Sequence, residues 1–229
     1  MSKVAVISGA GGEIAEAIIQ TFEKAGWQLA LLVHSDKSRK RLEQSYPDAL
    51  ILQADLSEAS EAERAFAIIK DHYSRIDALI NSAGGFTMES AERTDKELVN
   101  KQFAINFFTL FNAVRAALPD FINQSSGFIA GIGAGPALNG GAKMTAYTAS
   151  KGAMISYLKS LRAELEPKGI AVGILYPMGV VDTEANRQSM PKVNPETWIS
   201  PDEIAESLLY MATRSEQGRI RELKIYPSS

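Results

Sequence analysis

Three groups of residues have types and spacings that could do chemistry. The first is the run Ser8-Gly9-Ala10-Gly11-Gly12-Glu13-Ile14-Ala15, which follows the apolar stretch Val4–Ile7 and leads into the helical pattern Glu16–Ala25. Glycines at a strand-to-helix turn let backbone N–H groups close on a pyrophosphate, and the positive end of the following helix favours the same charge. Gly9, Gly11, Gly12 and Ile14 are therefore nucleotide-contact candidates, although such a turn can also bind nothing. The second group follows the second apolar run, where Val33-His34-Ser35 carries no carboxylate for an adenosine 2′-hydroxyl and Lys37, Arg39 and Lys40 come close behind. A 2′-phosphate would be repelled by an acid there and drawn to a cation, so the pattern favours NADP over NAD. Asp36, turned inward, would restore NAD, and the cations would equally suit a solvated helix face. The third group is Tyr147 and Lys151, four apart and so on one face of a helix. An ammonium beside a phenol favours phenolate and lowers a pKa that is normally about 10. Such a tyrosine can hand a proton to a substrate oxygen or nitrogen.

The elements that must position these groups are short apolar runs at Val4–Ile7, Leu29–Val33, Ala49–Leu52, Ala78–Ile80, Phe128–Ala130, Ile170–Leu175 and Leu223–Tyr226. Most are separated by longer segments of helical spacing. Val, Ile, Leu and Ala without polar alternation suit strands buried on both faces. The expected fold is therefore α/β: a doubly wound (Rossmann) parallel sheet of about seven strands with helices on both faces. No linker, charge block or repeat divides the 229 residues, so one domain over 1–229 is expected. Within it the stretch 178–200, rich in Asn, Pro, Met and Ser, is expected to act as a substrate lid.

Composition excludes several classes of function. Lys+Arg 24 against Asp+Glu 27 leaves a net charge of −3, with no broad basic field for a nucleic-acid backbone or an anionic membrane. No apolar run approaches the ~18 residues of a membrane span, and none suits a signal-peptide core, so a cytoplasmic protein is expected. The absence of cysteine removes disulfides, thiol nucleophiles and Cys-ligated metals. His34 and His72 stand far apart without a ligand-spaced partner, and no metal site is expected.

Four further segments, in order, resemble the short-chain dehydrogenase/reductase family over nearly the whole chain: Ala54-Asp55-Leu56, Asn81-Ser82-Ala83-Gly84-Gly85, Asn106, and Tyr147-Thr148-Ala149-Ser150-Lys151. Tyr-x-x-x-Lys alone is a common pattern, and its weight comes from its place in the series. The resemblance implies Asp55 and Leu56 near the adenine, with His34 and Ser35 bordering the adenosine end. Asn81, Ala83 and Gly84 would run along the ribose. Tyr147 would be the proton donor, Lys151 would tune it and bond the nicotinamide ribose, and Asn106 would hold a relay water. Pro177, the backbone around Val180 and the Thr183 hydroxyl would meet the nicotinamide carboxamide, in a run one residue longer than the family's usual one. The resemblance also implies a nicotinamide dinucleotide, NADP rather than NAD on the charge pattern above, and a small carbonyl, quinonoid or pterin-like substrate. A homodimer or homotetramer is expected through helices over Glu97–Leu118 and Thr145–Glu166, where Ala146, Ala149, Gly152 and Ala153 allow close packing.

Two residues depart from the family's pattern. Ala134 stands thirteen residues before Tyr147, where most members carry the Ser that bonds the substrate carbonyl, and Thr145 is the nearest substitute in sequence. Loss of an oxyanion partner costs ~10²-fold or more when the substrate relies on it. Glu13 occupies a usual glycine position, where its carboxylate either opposes a pyrophosphate or points to solvent as a first-turn acid. Ala134, Ala83-Gly84-Gly85-Phe86 and Asn186-Arg187-Gln188-Ser189-Met190-Pro191, followed by Trp198, resemble the quinonoid dihydropteridine reductases and their bacterial relatives. On that resemblance Ala134, Phe86, Arg187 and Met190 border the substrate. Arg187 would draw an anionic or carbonyl-rich molecule, or pair with Glu184. The alternative expectation is a nucleotide-binding sensor or scaffold that has lost the chemistry.

Overall fold

Seven unalternating apolar runs can bury both faces only as the middle layer of three, and that is how they are arranged in the computed structural model, which describes residues 2–228. The elements run β1 (Val4–Ser8), α1 (Glu13–Lys24), β2 (Gln28–Val33), α2 (Asp36–Ser45), β3 (Leu50–Gln53), α3 (Ala59–Tyr73) and β4 (Ala78–Asn81). They continue with α4 (Lys96–Phe103), α5 (Thr109–Gln124), β5 (Gly127–Ile132), α6 (Gly135–Asn139), α7 (Thr145–Leu165), β6 (Ile170–Pro177), α8 (Glu184–Ser189), α9 (Pro201–Ala212) and β7 (Glu222–Ile225). All neighbouring strands pair in parallel, in the order β3-β2-β1-β4-β5-β6-β7.

The two-residue period of the strands divides the core. Ala5 and Ile7 face a layer with Ile18 and Phe22 of α1 and Leu208 and Met211 of α9, while Val6 faces Phe66 of α3, Val114 of α5 and Leu158 of α7. Strand order reverses between β1 and β4, and the loops leaving the carboxyl ends of these two strands bound a crevice at that switch point. Among the described residues no helix is long and apolar enough to cross a membrane, and no group of three acidic or histidine side chains is placed to hold a metal.

One expected helix is interrupted. The helix expected over Glu97–Leu118 is divided into α4 and α5 by a π-helical turn, Ala104–Phe108, and α5 continues past Pro119 to Gln124. Asn106 lies inside this turn, buried, and its side chain bonds to the loop after β4. The stretch 178–200 is more ordered than its composition suggested. It contains α8, a 3-10 turn at Pro195–Thr197 and a parallel bridge from Val181 to Ile199.

Candidate active site

The glycine turn is built against the loop after β4. Gly9 has φ +70°, and a Cβ there would lie 2.5 Å from the Cα and N of Ala83. Below the turn the Ser8 hydroxyl donates to Asn81 Oδ1 at 2.6 Å, and the Ser82 hydroxyl donates to the Ser8 carbonyl. Gly11 and Gly12 are exposed, Ile14 is half-buried, and α1 begins without a side-chain cap, which leaves its first amides available to an anion. The Glu13 carboxylate does not face those amides. It accepts from the backbone N–H of Glu184, at the start of α8, at 2.7 Å.

At the ends of β2 and β3 the adenosine-side candidates adjoin one another. Ser35 caps α2 by accepting from Ser38 N, and a Cβ on Gly11 would meet Ser38 Oγ at 2.6 Å. His34 is exposed, with Nδ1 3.9 Å from Asp55 Oδ2, and Asp55 also accepts from the amide and hydroxyl of Ser57. Leu56 is buried, and its carbonyl accepts from Asn112. Asp36 stays on its own helix rather than turning inward: Lys40 and Arg39 bind it and hold its carboxyl below the usual carboxylate range. Those two cations are engaged in turn, Arg39 also by Glu43. The cation that reaches the glycine turn is Arg41, which donates to the Gly11 carbonyl at 3.1 Å.

The reacting-centre candidates converge on Gly84. A Cβ there would lie 2.9 Å from Asn106 Oδ1 and 3.1 Å from Lys151 Nζ. Lys151 is buried and donates to the Ile132 carbonyl at 2.9 Å, and burial pushes its ammonium down to about 8. Tyr147, one turn earlier on α7, is pushed up to about 12 by burial. The expected lowering of the phenol is therefore reversed, because desolvation dominates while the ammonium bonds to Ile132. Asn106 does not present a free side chain to a water. Its Oδ1 accepts from Gly85 N, and its Nδ2 faces Gly85 O, Ser150 Oγ and Gln102 Oε1 at 2.9, 3.1 and 3.2 Å. Ala134 is buried and starts α6 with no hydroxyl. Thr145, the nearest hydroxyl in sequence, pairs with Thr94 Oγ1 at 3.1 Å.

Beyond buried Pro177 the chain bonds largely to itself. The Val180 carbonyl accepts from Ile199 N, and the Thr183 hydroxyl caps α8 by accepting from Asn186 N. Arg187 grips Asp182 with two bonds of 2.6 and 2.7 Å instead of pairing with Glu184, which accepts from Gln188. Met190 closes α8. The exposed apolar side chains include Phe86, Met88, Leu138 and Val193. Sequence reasoning did not single out Arg41, Gln102 or Ser150. Gln102 carried a usable signal, a second amide one helical turn before Asn106 in a stretch of aromatic and aliphatic residues.

A model of the short chain dehydrogenase family matches residues 3–194. An uncharacterized oxidoreductase of Staphylococcus aureus (strain MW2) is 28% identical over 232 residues, spanning 98% of this chain and 97% of that protein. The structure of ElxO with NADP bound shares the fold with a TM-score of 0.92 at 19% identity, covering 99% of this chain and 98% of that one. The 3-ketoacyl-(acyl-carrier-protein) reductase from Brucella melitensis, complexed with NADH, shares it at 0.86 and 22%, covering 98% and 96%.

Proposed function

Because the chain belongs to the short-chain dehydrogenase family of oxidoreductases, we propose that it is an NADPH-dependent reductase of a small carbonyl, quinonoid or pterin-like molecule, with Tyr147 as proton donor. The observation that carries this reading is the convergence of Asn106 Oδ1 and Lys151 Nζ on Gly84, on the same helix face as Tyr147. The residues present fit a nicotinamide dinucleotide. Exposed Gly11 and Gly12 with the uncapped start of α1 suit its pyrophosphate, Ser35, His34, Asp55 and Leu56 border its adenosine, and Asn81, Ala83, Gly84 and Lys151 border its ribose. On the resemblance, Pro177, Val180 and Thr183 would meet the nicotinamide end. When bound, the dinucleotide supplies a hydride to the substrate.

Tyr147, pushed up to about 12 by burial, is protonated at neutral pH and so has a proton to give once the hydride is transferred. Lys151, pushed down to about 8 by burial and still mostly charged at pH 7, would stabilise the phenolate left behind only by exchanging its bond to the Ile132 carbonyl for one to the phenolate oxygen. Asn106 fixes the Gly85 peptide that borders the reacting atoms. NADP is favoured over NAD by the lack of an acid at the end of β2 and by Arg41 at the glycine turn. The stretch 178–200 serves as the lid of this one catalytic domain, with Arg187 and Met190 on its substrate side. The resemblance of 182–191 to dihydropteridine reductases supports a conjugated imine or quinone substrate, which needs no serine at Ala134. The aromatic cluster of Phe107, Phe111 and Tyr157, with exposed Phe108 beside it, supports association of copies in a homo-oligomer.

Calorimetric titration with NADPH and NADH tests the nucleotide, and turnover of quinonoid dihydropterin, naphthoquinone and simple ketones tests the reaction. Tyr147→Phe should bind NADPH normally and lose about 10²-fold or more in kcat. Intact turnover in that variant would remove the proton donor. Nucleotide binding without turnover across the panel would favour a sensor, the reading that Ala134 supports.

A further inference from the structure

In an all-parallel sheet every strand begins at the same edge, the one opposite the crevice, and a second cleft of about 300 Å³ opens there. That volume lies at the low end of the range for small-ligand sites. The cleft is lined by residues that lead into the strands, Lys3 before β1, Trp27 before β2, Arg75 and Asp77 before β4 and Arg219 before β7, together with the end of α9. Its deeper lining is apolar, made by buried Trp27, Phe128 and Met211. Its outer lining is cationic. Lys3, Arg75, Arg214 and Arg219 stand there against two acids, Asp77 and Glu216, on a chain whose net charge is −3.

Both acids are already engaged: Asp77 accepts from Val4 N and from Arg75 Nε and Nη2, and Glu216 accepts from Arg219. Lys3 and Arg214 have no carboxylate partner among the described residues and rest on aromatic rings instead. Lys3 Nζ lies 5.3 Å from the ring centroid of Trp27, and Arg214 Cζ lies 3.9 Å from that of Tyr210. A ring attracts a cation without cancelling its charge. The other bonds of Arg214 go to neutral oxygens, the Tyr210 carbonyl and the Thr213 hydroxyl. Exposed cations are ordinary on a protein surface. Two that are held over rings at one cleft, with no acid to neutralise them and an apolar lining behind, are placed for an anion with an apolar body. We infer that this cleft is a second binding site, separate from the catalytic crevice, for a small aromatic carboxylate whose ring enters against Trp27 and Phe128 and whose carboxylate meets Arg214 and Lys3. A guanidinium fork matches a carboxylate, and an edge or offset contact with the lining rings orients the ligand's own ring. Asp77 and Glu216 repel a doubly charged group more strongly than a singly charged one, which favours carboxylate over phosphate. The inference does not depend on the reductase reading, because no residue of this cleft belongs to the candidate active site.

2-Naphthoate is the probe, titrated into the isotope-labelled full chain. The sequence has two tryptophans, Trp27 in this cleft and Trp198 in the stretch 178–200, so their indole N–H resonances report the two regions separately. 2-Naphthoate should shift the resonance of Trp27 and leave that of Trp198 in place, with and without NADPH. By calorimetry, Arg214→Gln and Lys3→Gln should each weaken 2-naphthoate binding about three- to tenfold, and Arg214→Lys should lose less than Arg214→Gln. Both positions are exposed, so these variants should keep the fold and the NADPH affinity of the wild type. The neutral alcohol of the same ring, 2-naphthalenemethanol, should bind about fivefold or more weakly than the acid. A shift at Trp198 without one at Trp27, or displacement of 2-naphthoate by NADPH, would place the acid in the crevice and overturn the inference. Wild-type affinity in both glutamine variants, equal affinity for the alcohol, or no binding at about 5 mM 2-naphthoate would overturn it as well.

Discussion

Replacing Lys151 by methionine should stabilise the fold at neutral pH while destroying the site. The ammonium is buried, and its pKa falls from 10.5 to about 8 on folding. Keeping the buried lysine charged therefore costs on the order of 3 kcal/mol. Against this, the variant loses a charge-assisted bond to the Ile132 carbonyl, worth roughly 1.5–3 kcal/mol. The net gain at pH 7 is therefore at most about 2 kcal/mol. The pH dependence is sharper, because the lost bond largely cancels from it. A folded-state pKa below the unfolded value means that stability is fully present above 10.5 and is lost as pH falls through about 8. At pH 9.5 the cost has dropped to about 1 kcal/mol, so the advantage of Lys151→Met over wild type should shrink by about 2 kcal/mol between pH 7 and 9.5. Paired urea unfolding at the two pH values measures this directly, since all other titrating groups are shared. A difference between the two proteins that does not change with pH, or that grows towards pH 9.5, would refute the placement of a charged lysine in a desolvated site.

Three other outcomes follow from the geometry. Arg41→Ala should cost NADPH roughly 10- to 100-fold in affinity and leave NADH unchanged, as competition titrations would show; equal losses for both nucleotides would remove the cation's role at the 2′-phosphate. Gly84→Ala places a methyl about 3 Å from Asn106 Oδ1 and Lys151 Nζ, so kcat should fall about tenfold or more with the melting temperature little changed, and unimpaired turnover would contradict the convergence of these groups. Glu13→Ala removes the acceptor of the Glu184 amide and should speed hydrogen exchange there by about two- to tenfold while Glu13→Gln does not; equal protection in all three proteins would show the contact to be unimportant.

All seven strands were legible because unalternating Val, Ile, Leu and Ala have few alternatives to a twice-covered sheet, and the errors fell at polar ends such as Ser8, Gln53 and Asn81. The break in the helix around Asn106 was not legible. It coincides with bonds to Gly85, twenty-one positions away, and helical spacing carries no trace of a partner so distant. Within the site, the candidate side chains were readable by type, but their electrostatics were not. Spacing alone makes Lys151 a neighbour that lowers the Tyr147 pKa, whereas burial, which depends on the whole fold, raises it. Arg41 was passed over for the opposite reason. Arg39 and Lys40 look more available next to His34, yet Asp36 lies three and four residues before them, the spacing at which helix neighbours pair and hold each other.

The paired bonds of Arg187 to Asp182 bear on how molecules arrive at the crevice. A guanidinium closed on a carboxylate presents a dipole rather than a charge, and at 0.15 M salt, where the screening length is about 8 Å, a dipole steers nothing from a distance. Capture of an uncharged substrate by this crevice would then proceed at the same rate in dilute and concentrated salt, whereas arrival of a phosphorylated dinucleotide at Arg41, whose contact with Glu16 is looser at 3.6 Å, would slow as ionic strength rises. The two partners of one reaction would thus be distinguishable by a stopped-flow salt series alone.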